Sequence, residues 1–230
     1  MAPATLIRWS GLSLMAGGVC YALFLLLHPY GEVAGAHVAH DNLWIPAHSL
    51  HFLGAVFTLF GLVGLYAKYW QPLDRVGFVA WVLAFIGTAM FVGTGMITAA
   101  LWPAIAEDFP EFVEAEGGMF EDPLTAGITT ATYVFMCLGF IPLAVVMWRK
   151  RLLPWPAAVL MAVGIVLFSA PVDPVGPAPW IARFSGAITF GAALAWTGLL
   201  IWRGPNPRDA MAADAGVHPA PPPPSLTAAR

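Results

Sequence analysis

Apolar residues fill six stretches of the chain with little interruption, and the charged residues are confined mostly to the segments between them. The stretches run over residues 6–28, 44–68, 75–102, 125–148, 153–171 and 179–202. Each is close to the roughly 20 residues that a helix needs to cross a hydrocarbon layer of about 30 Å. Only helices and closed barrels satisfy the backbone in lipid, and uninterrupted apolar runs lack the two-residue alternation of barrel strands. The pattern therefore predicts an all-α membrane protein, a six-transmembrane helical bundle over residues 1–203.

Turn and cap residues mark the same boundaries. His28-Pro29-Tyr30-Gly31 closes the first stretch, because proline inside a helix removes a hydrogen bond and clashes with the preceding turn. Pro46 falls in the first turn of the second, where a missing N–H does no harm. Pro72 and Asp74 separate the second and third, Pro154 and Pro156 open the fifth, and Pro171, Pro174, Pro177 and Pro179 crowd the last connection. After Arg203 the chain turns to Ala, Gly and Pro, with prolines at 219 and 221–224. Residues 204–230 have too little apolar surface to offset the entropy of ordering, and a disordered tail is expected there.

Charge orients the bundle. Arg8, Lys68, Arg75, the 149–151 basic triplet, Arg203 and Arg208 fall on one side once six spans are threaded. Glu32, Asp41, the acidic 103–123 segment, Asp173 and a single cation, Arg183, fall on the other. Positive flanks stay in the cytoplasm, so both termini are expected to be cytoplasmic in a plasma-membrane protein. Trp9, Trp70, Trp148, Trp155 and Trp202 mark the basic interface, and Trp44, Trp102 and Trp180 mark the opposite one.

Composition narrows the class. Of the 230 residues, 59% are hydrophobic and 10% are charged, against about 25% charged in an ordinary soluble domain. A surface facing lipid accounts for the difference. The net charge of −3 offers no basic surface for nucleic acid. Cys20 and Cys137 lie inside apolar runs and give no disulfide framework. The first stretch reads as a retained helix rather than a cleaved signal.

Candidate chemistry concentrates between positions 28 and 51, which hold His28, His37, His40, His48 and His51. His48 and His51 share a helix face at three-residue spacing, and His28 ends the preceding helix. Imidazoles with a nearby carboxylate suit a borderline transition metal. His28, His48 and His51 are the candidate ligands, with His40 and Asp41 as additional ones and His37 or Glu32 as supporting groups. A haem is the alternative cofactor, with His28 facing His48 or His51 across the ring. No metal-protease, cysteine-pair or haem-attachment motif accompanies the cluster.

Thr94, Thr98, Thr129, Thr130 and Tyr133 occupy the same level of their spans and are candidates for lining a polar cavity between the first four helices. Arg183 is placed to pair with Asp173 across the last proline-rich connection. The 103–123 segment, with Ile105 and Phe109 among its acids, reads as an amphipathic lid and does not match a calcium loop. Three functions follow as expectations: a metal or redox protein, a small transporter or ligand-binding component, and an assembly subunit that packs on another membrane protein or on its own copies. The spans lack a mid-membrane charge of the kind that marks ion coupling, and no nucleophile is evident.

Overall fold

The computed structural model describes residues 3–29, 41–109, 123–170 and 177–204. Among them every regular element is helical: α1 (Pro3–Leu27), α2 (Trp44–Tyr69), α3 (Arg75–Met96), α4 (Trp102–Asp108), α5 (Pro123–Arg149), α6 (Trp155–Phe168) and α7 (Pro177–Arg203). Five apolar helices are long enough to cross a membrane, the third being the continuous 75–108 rod, and α6 is a shorter apolar sixth. The expected tail beyond Gly204 lies outside the described residues.

Two boundaries differ from the sequence expectation, each for a local reason. The fifth span is shorter than residues 153–171, because Pro154 sits in an extended conformation as the N-cap and Ser169 closes the helix after 14 residues. At 1.5 Å per residue that is about 21 Å, less than a hydrocarbon layer. The third span does not end at Trp102. It widens into one π turn over Ile97–Leu101 and continues as α4. Pro103 is the cause we assign. In the widened register Trp102 N–H bonds the Ile97 carbonyl, so residue 103 would bond Thr98, and proline has no N–H to give. The Trp44 indole donates to the Thr98 carbonyl instead, at 2.9 Å. Ile105 then packs with Trp44, Trp102 and Ala106 rather than belonging to a surface lid.

The helices form a closed ring. α1 packs between α2 and α7, α2 against α3, α3 against α5, α5 against α6, and α6 against α7. Aromatic side chains fill its interior: Tyr21 lies against Phe91, Phe168 and Phe190, and Phe140 meets Phe190 edge-on. The outward faces carry exposed Leu, Val and Phe side chains such as Leu23, Phe60, Val79 and Val163, as lipid contact requires.

Close helix approach rests on glycine. A Cβ on Gly18 would overlap the Gly191 carbonyl oxygen, and one on Gly191 would overlap the Gly18 carbonyl, so α1 and α7 meet backbone to backbone. Lys68 closes the basic end. It is 5% exposed and its ammonium donates to the carbonyls of Leu200, Ile201 and Gly204 at 3.1–3.2 Å, capping α7. Across that end Asp74 caps α3 by accepting from Gly77 N at 3.0 Å and pairs with Lys150 at 3.4 Å.

Candidate functional site

The opposite end of the ring gathers the histidines. The last turn of α1 supplies Phe24, with His28 just beyond it. The first two turns of α2 supply Trp44, His48 and His51. Trp44 is fixed by its bond to Thr98, and its indole stacks on His48 at 4.2 Å between ring centres. Pro103 thus reaches the site through two contacts: it frees a carbonyl, the carbonyl holds an indole, and the indole braces an imidazole.

His28 and His48 share one hydrogen-bond pattern. His48 Nδ1 lies 2.9 Å from the Trp44 carbonyl and His28 Nδ1 lies 2.9 Å from the Pro29 carbonyl. A carbonyl only accepts, so Nδ1 carries the proton in each ring and Nε2 of the neutral imidazole keeps its lone pair. The two ring centres are 5.0 Å apart. His51 differs. It is 5% exposed, and neither nitrogen has a hydrogen-bond partner. Its ring rests against Phe91 at 3.9 Å and Phe24 at 4.9 Å. The nearby Phe91 carbonyl lies outside hydrogen-bond geometry. Gly95 leaves room for the ring, since a Cβ there would stand 3.2 Å from His51 Cδ2.

Phe24 touches all three imidazoles, with ring centres 5.4 Å from His28, 5.5 Å from His48 and 4.9 Å from His51. Trp180 of α7 lies 5.3 Å from His28. Arg183, one turn further along α7, donates from Nη2 to the Tyr133 hydroxyl, and its guanidinium also lies 5.4 Å over the Tyr133 ring. Its Nε is buried without a partner. The Arg183 charge lies within electrostatic reach of both His28 and His51.

The remaining candidates fall into three groups. Asp41 is used locally, its carboxylate accepting from Leu43 N at 2.7 Å at the start of α2, and its charge also reaches His28. Thr94 and Thr98 turn their hydroxyls back to carbonyls of their own helix, Phe91 for one and Thr94 and Gly95 for the other. Thr129 is half-buried and Thr130 exposed, while Tyr133 faces Arg183. His40, His37, Glu32 and Asp173 lie outside the described residues, and with Asp173 goes its pairing with Arg183. Among the described residues no group of three His, Cys, Asp or Glu side chains stands in a metal-holding array.

Sequence reasoning did not anticipate the aromatic basket of Phe24, Phe91 and Trp180, the Trp44 to Thr98 bond or the pairing of Arg183 with Tyr133. Pro103 was the signal available for the second, since a proline one residue past a helical run must leave one carbonyl without a donor. The chain matches no family model, no curated protein and no solved structure.

Proposed function

We propose that this multi-pass membrane protein binds a transition-metal ion at the histidine end of the bundle, with His28 and His48 as ligands through Nε2. The observation that carries the reading is the shared hydrogen-bond pattern. An Nδ1–H committed to a backbone carbonyl is the usual arrangement of a metal-binding imidazole, because it fixes the tautomer and aims the other nitrogen. Two imidazoles on one tetrahedral ion, each at about 2.0–2.1 Å, have ring centres about 5 Å apart. The His28 and His48 centres are 5.0 Å apart. His51, with its unpartnered nitrogens, is a third imidazole beside the pair, its ring centre 6.4 Å from that of His48, wider than the spacing of two ligands on one ion.

Haem fits less well. Two axial imidazoles stand on opposite faces of the macrocycle with ring centres about 6 Å apart. The His28 and His48 pair is closer than that, and Phe24 packs against all three rings. A second reading, a ligand-binding component for a small anion, rests on Arg183. Its Nε is buried without a partner, and no described carboxylate pairs with it.

The test is metal titration of detergent-purified, metal-stripped protein with Zn²⁺, Cu²⁺, Ni²⁺ and Co²⁺, read by elemental analysis and by Co²⁺ absorption. We expect about one equivalent for the wild type and at least tenfold weaker binding for His28→Ala and His48→Ala. Folded wild-type protein that takes up none of the four metals overturns the reading, as does a double variant that binds as well as the wild type.

The basic end belongs, on this reading, to the cytoplasm of a plasma membrane, supported by the Arg and Lys count. Reporter fusions after Gly204 and between Leu27 and Trp44 should report opposite sides of the membrane, with the first cytoplasmic.

A further inference from the structure

At the basic end, α5 stops in an unusual way. Leu152 N bonds the Met147 carbonyl at 2.8 Å and Arg151 N bonds the Trp148 carbonyl at 2.8 Å. These are the two bonds of a Schellman cap, in which the residue after the cap takes left-handed backbone and is usually glycine. Here it is Arg151, with φ of 58°, the only described non-glycine residue with a positive φ. A side chain in that conformation is disfavoured by contact between Cβ and the following carbonyl. A residue kept at a strained position is a reason to ask what its side chain does.

Arg151 borders an open surface groove of about 480 Å³ between the ends of α5, α6 and α7. The other walls include Trp148, Leu152, Pro154, Trp155 and Leu200. Both tryptophans are half or more exposed, 50% and 64%, at the level where indoles meet headgroups. The open side of the groove faces outward, where a lipid would lie along it. The cations are not equivalent: Lys150 is paired with Asp74, whereas Arg151 has no carboxylate partner among the described residues.

We infer that this groove is a binding site for one anionic glycerophospholipid, with the phosphate on Arg151, the glycerol region between Trp148 and Trp155, and the start of an acyl chain along Leu152 and Leu200. Three features favour that occupant. The consecutive Arg149, Lys150 and Arg151 complement a negative headgroup. A guanidinium presents paired donors to phosphate oxygens. The walls grade from a cation at the rim to indoles and leucines, as a lipid grades from headgroup to chain. The inference is independent of the metal reading, which concerns the other end of the bundle.

Native mass spectrometry of the full-length protein in detergent, titrated with phosphatidylglycerol or phosphatidylcholine, tests it. We expect one phosphatidylglycerol adduct retained at least tenfold better than phosphatidylcholine. Arg151→Gly suits the cap and should fold with an equal or higher thermal transition while losing the adduct at least tenfold. Arg203→Gln, at the same end but not on the groove, should keep it. Equal retention of the two lipids overturns the inference. So does an adduct that survives Arg151→Gly, or one that falls as far in Arg203→Gln. Displacement of the lipid by millimolar inorganic phosphate also overturns it, because the groove would then be a simple anion site.

Discussion

His51→Leu should make the metal-free protein more stable, which is unusual for a substitution at a buried position. The ring presents one N–H and one lone pair, both buried and without partners. Leaving a buried polar atom unsatisfied costs about 1–3 kcal/mol, so at the low end the two together cost about 2 kcal/mol. Leucine is near histidine in volume and removes both. Against this stands the loss of ring packing on Phe91 and Phe24, which lie at 3.9 and 4.9 Å. Aromatic pairs are worth about 0.5–1.5 kcal/mol beyond area, and we take about 1 kcal/mol. The net is a gain of about 1 kcal/mol, or roughly 2–4 °C in Tm for a chain of this size. Thermal unfolding in one detergent, followed by far-UV circular dichroism with chelator present, measures it. With saturating metal the wild type should gain stability by mass action and His51→Leu should gain less. A drop of several degrees in the metal-free variant would refute the reasoning, because it would mean that the ring is hydrogen-bonded in the folded state, with the Phe91 carbonyl as the acceptor.

Three further outcomes follow from the structure. Lys68→Met leaves two α7 carbonyls and that of Gly204 without their donor; at about 1.5–3 kcal/mol for a hydrogen bond to a charged group, partly recovered by water, it should cost about 2–3 kcal/mol in denaturant unfolding. An unchanged midpoint would mean that the ammonium snorkels past those carbonyls. Gly18→Val pushes a side chain into the Gly191 carbonyl and should separate α1 from α7, costing about 1–3 kcal/mol or more, with cysteine crosslinking between the helices lost; retained crosslinking would show that the contact is not tight. Asp74 gives a pH dependence. The Gly77 N–H, and after it Lys150, hold its carboxyl below the ordinary value, so its contribution is complete at neutral pH and is lost as pH falls below about 4 through the lower folded value. The Tm difference between wild type and Asp74→Ala should therefore shrink on acidification, and a difference unchanged between pH 7 and pH 3 would count against the cap.

The number and order of the apolar helices were legible because lipid imposes one rule on every position of a span: long runs, few charges, tryptophans at the rims. Asp74, Pro154 and Pro46 fell at helix starts as local backbone chemistry dictates. Less could be read where a boundary depends on a distant residue. The third span passes Pro103 because Trp44, far away in sequence, supplies the hydrogen bond that proline cannot. Lys68 reads as a positive flank at the end of the second span and is buried, because its partners are carbonyls at the end of α7. At the histidine end the sequence gathered His28, His48 and His51 onto two helix ends, and the structure packs them around Phe24. Which ring nitrogens remain free depends on backbone carbonyls, which have no signature in the sequence.

The distribution of unsatisfied groups separates the two ends of the bundle. In a layer without water every buried donor and acceptor must find a partner inside the protein, and many described side chains do so. Thr58, Thr88, Thr132 and Thr197 return their hydroxyls to the carbonyl one turn back, Trp81 donates to Leu62, and even the Lys68 ammonium finds three acceptors. His51 and Arg183 Nε are exceptions, and both lie beside the same basket of rings, Arg183 through Tyr133 and Phe91. A fold that satisfies a buried lysine has the means to satisfy a histidine. It leaves both His51 nitrogens without a protein partner, beside two imidazoles whose Nδ1 atoms are committed to carbonyls, and the metal we propose would collect the nitrogens that remain. On that proposal, the metal-free gain expected of His51→Leu and the loss of metal binding expected of His48→Ala probe one and the same site from opposite directions.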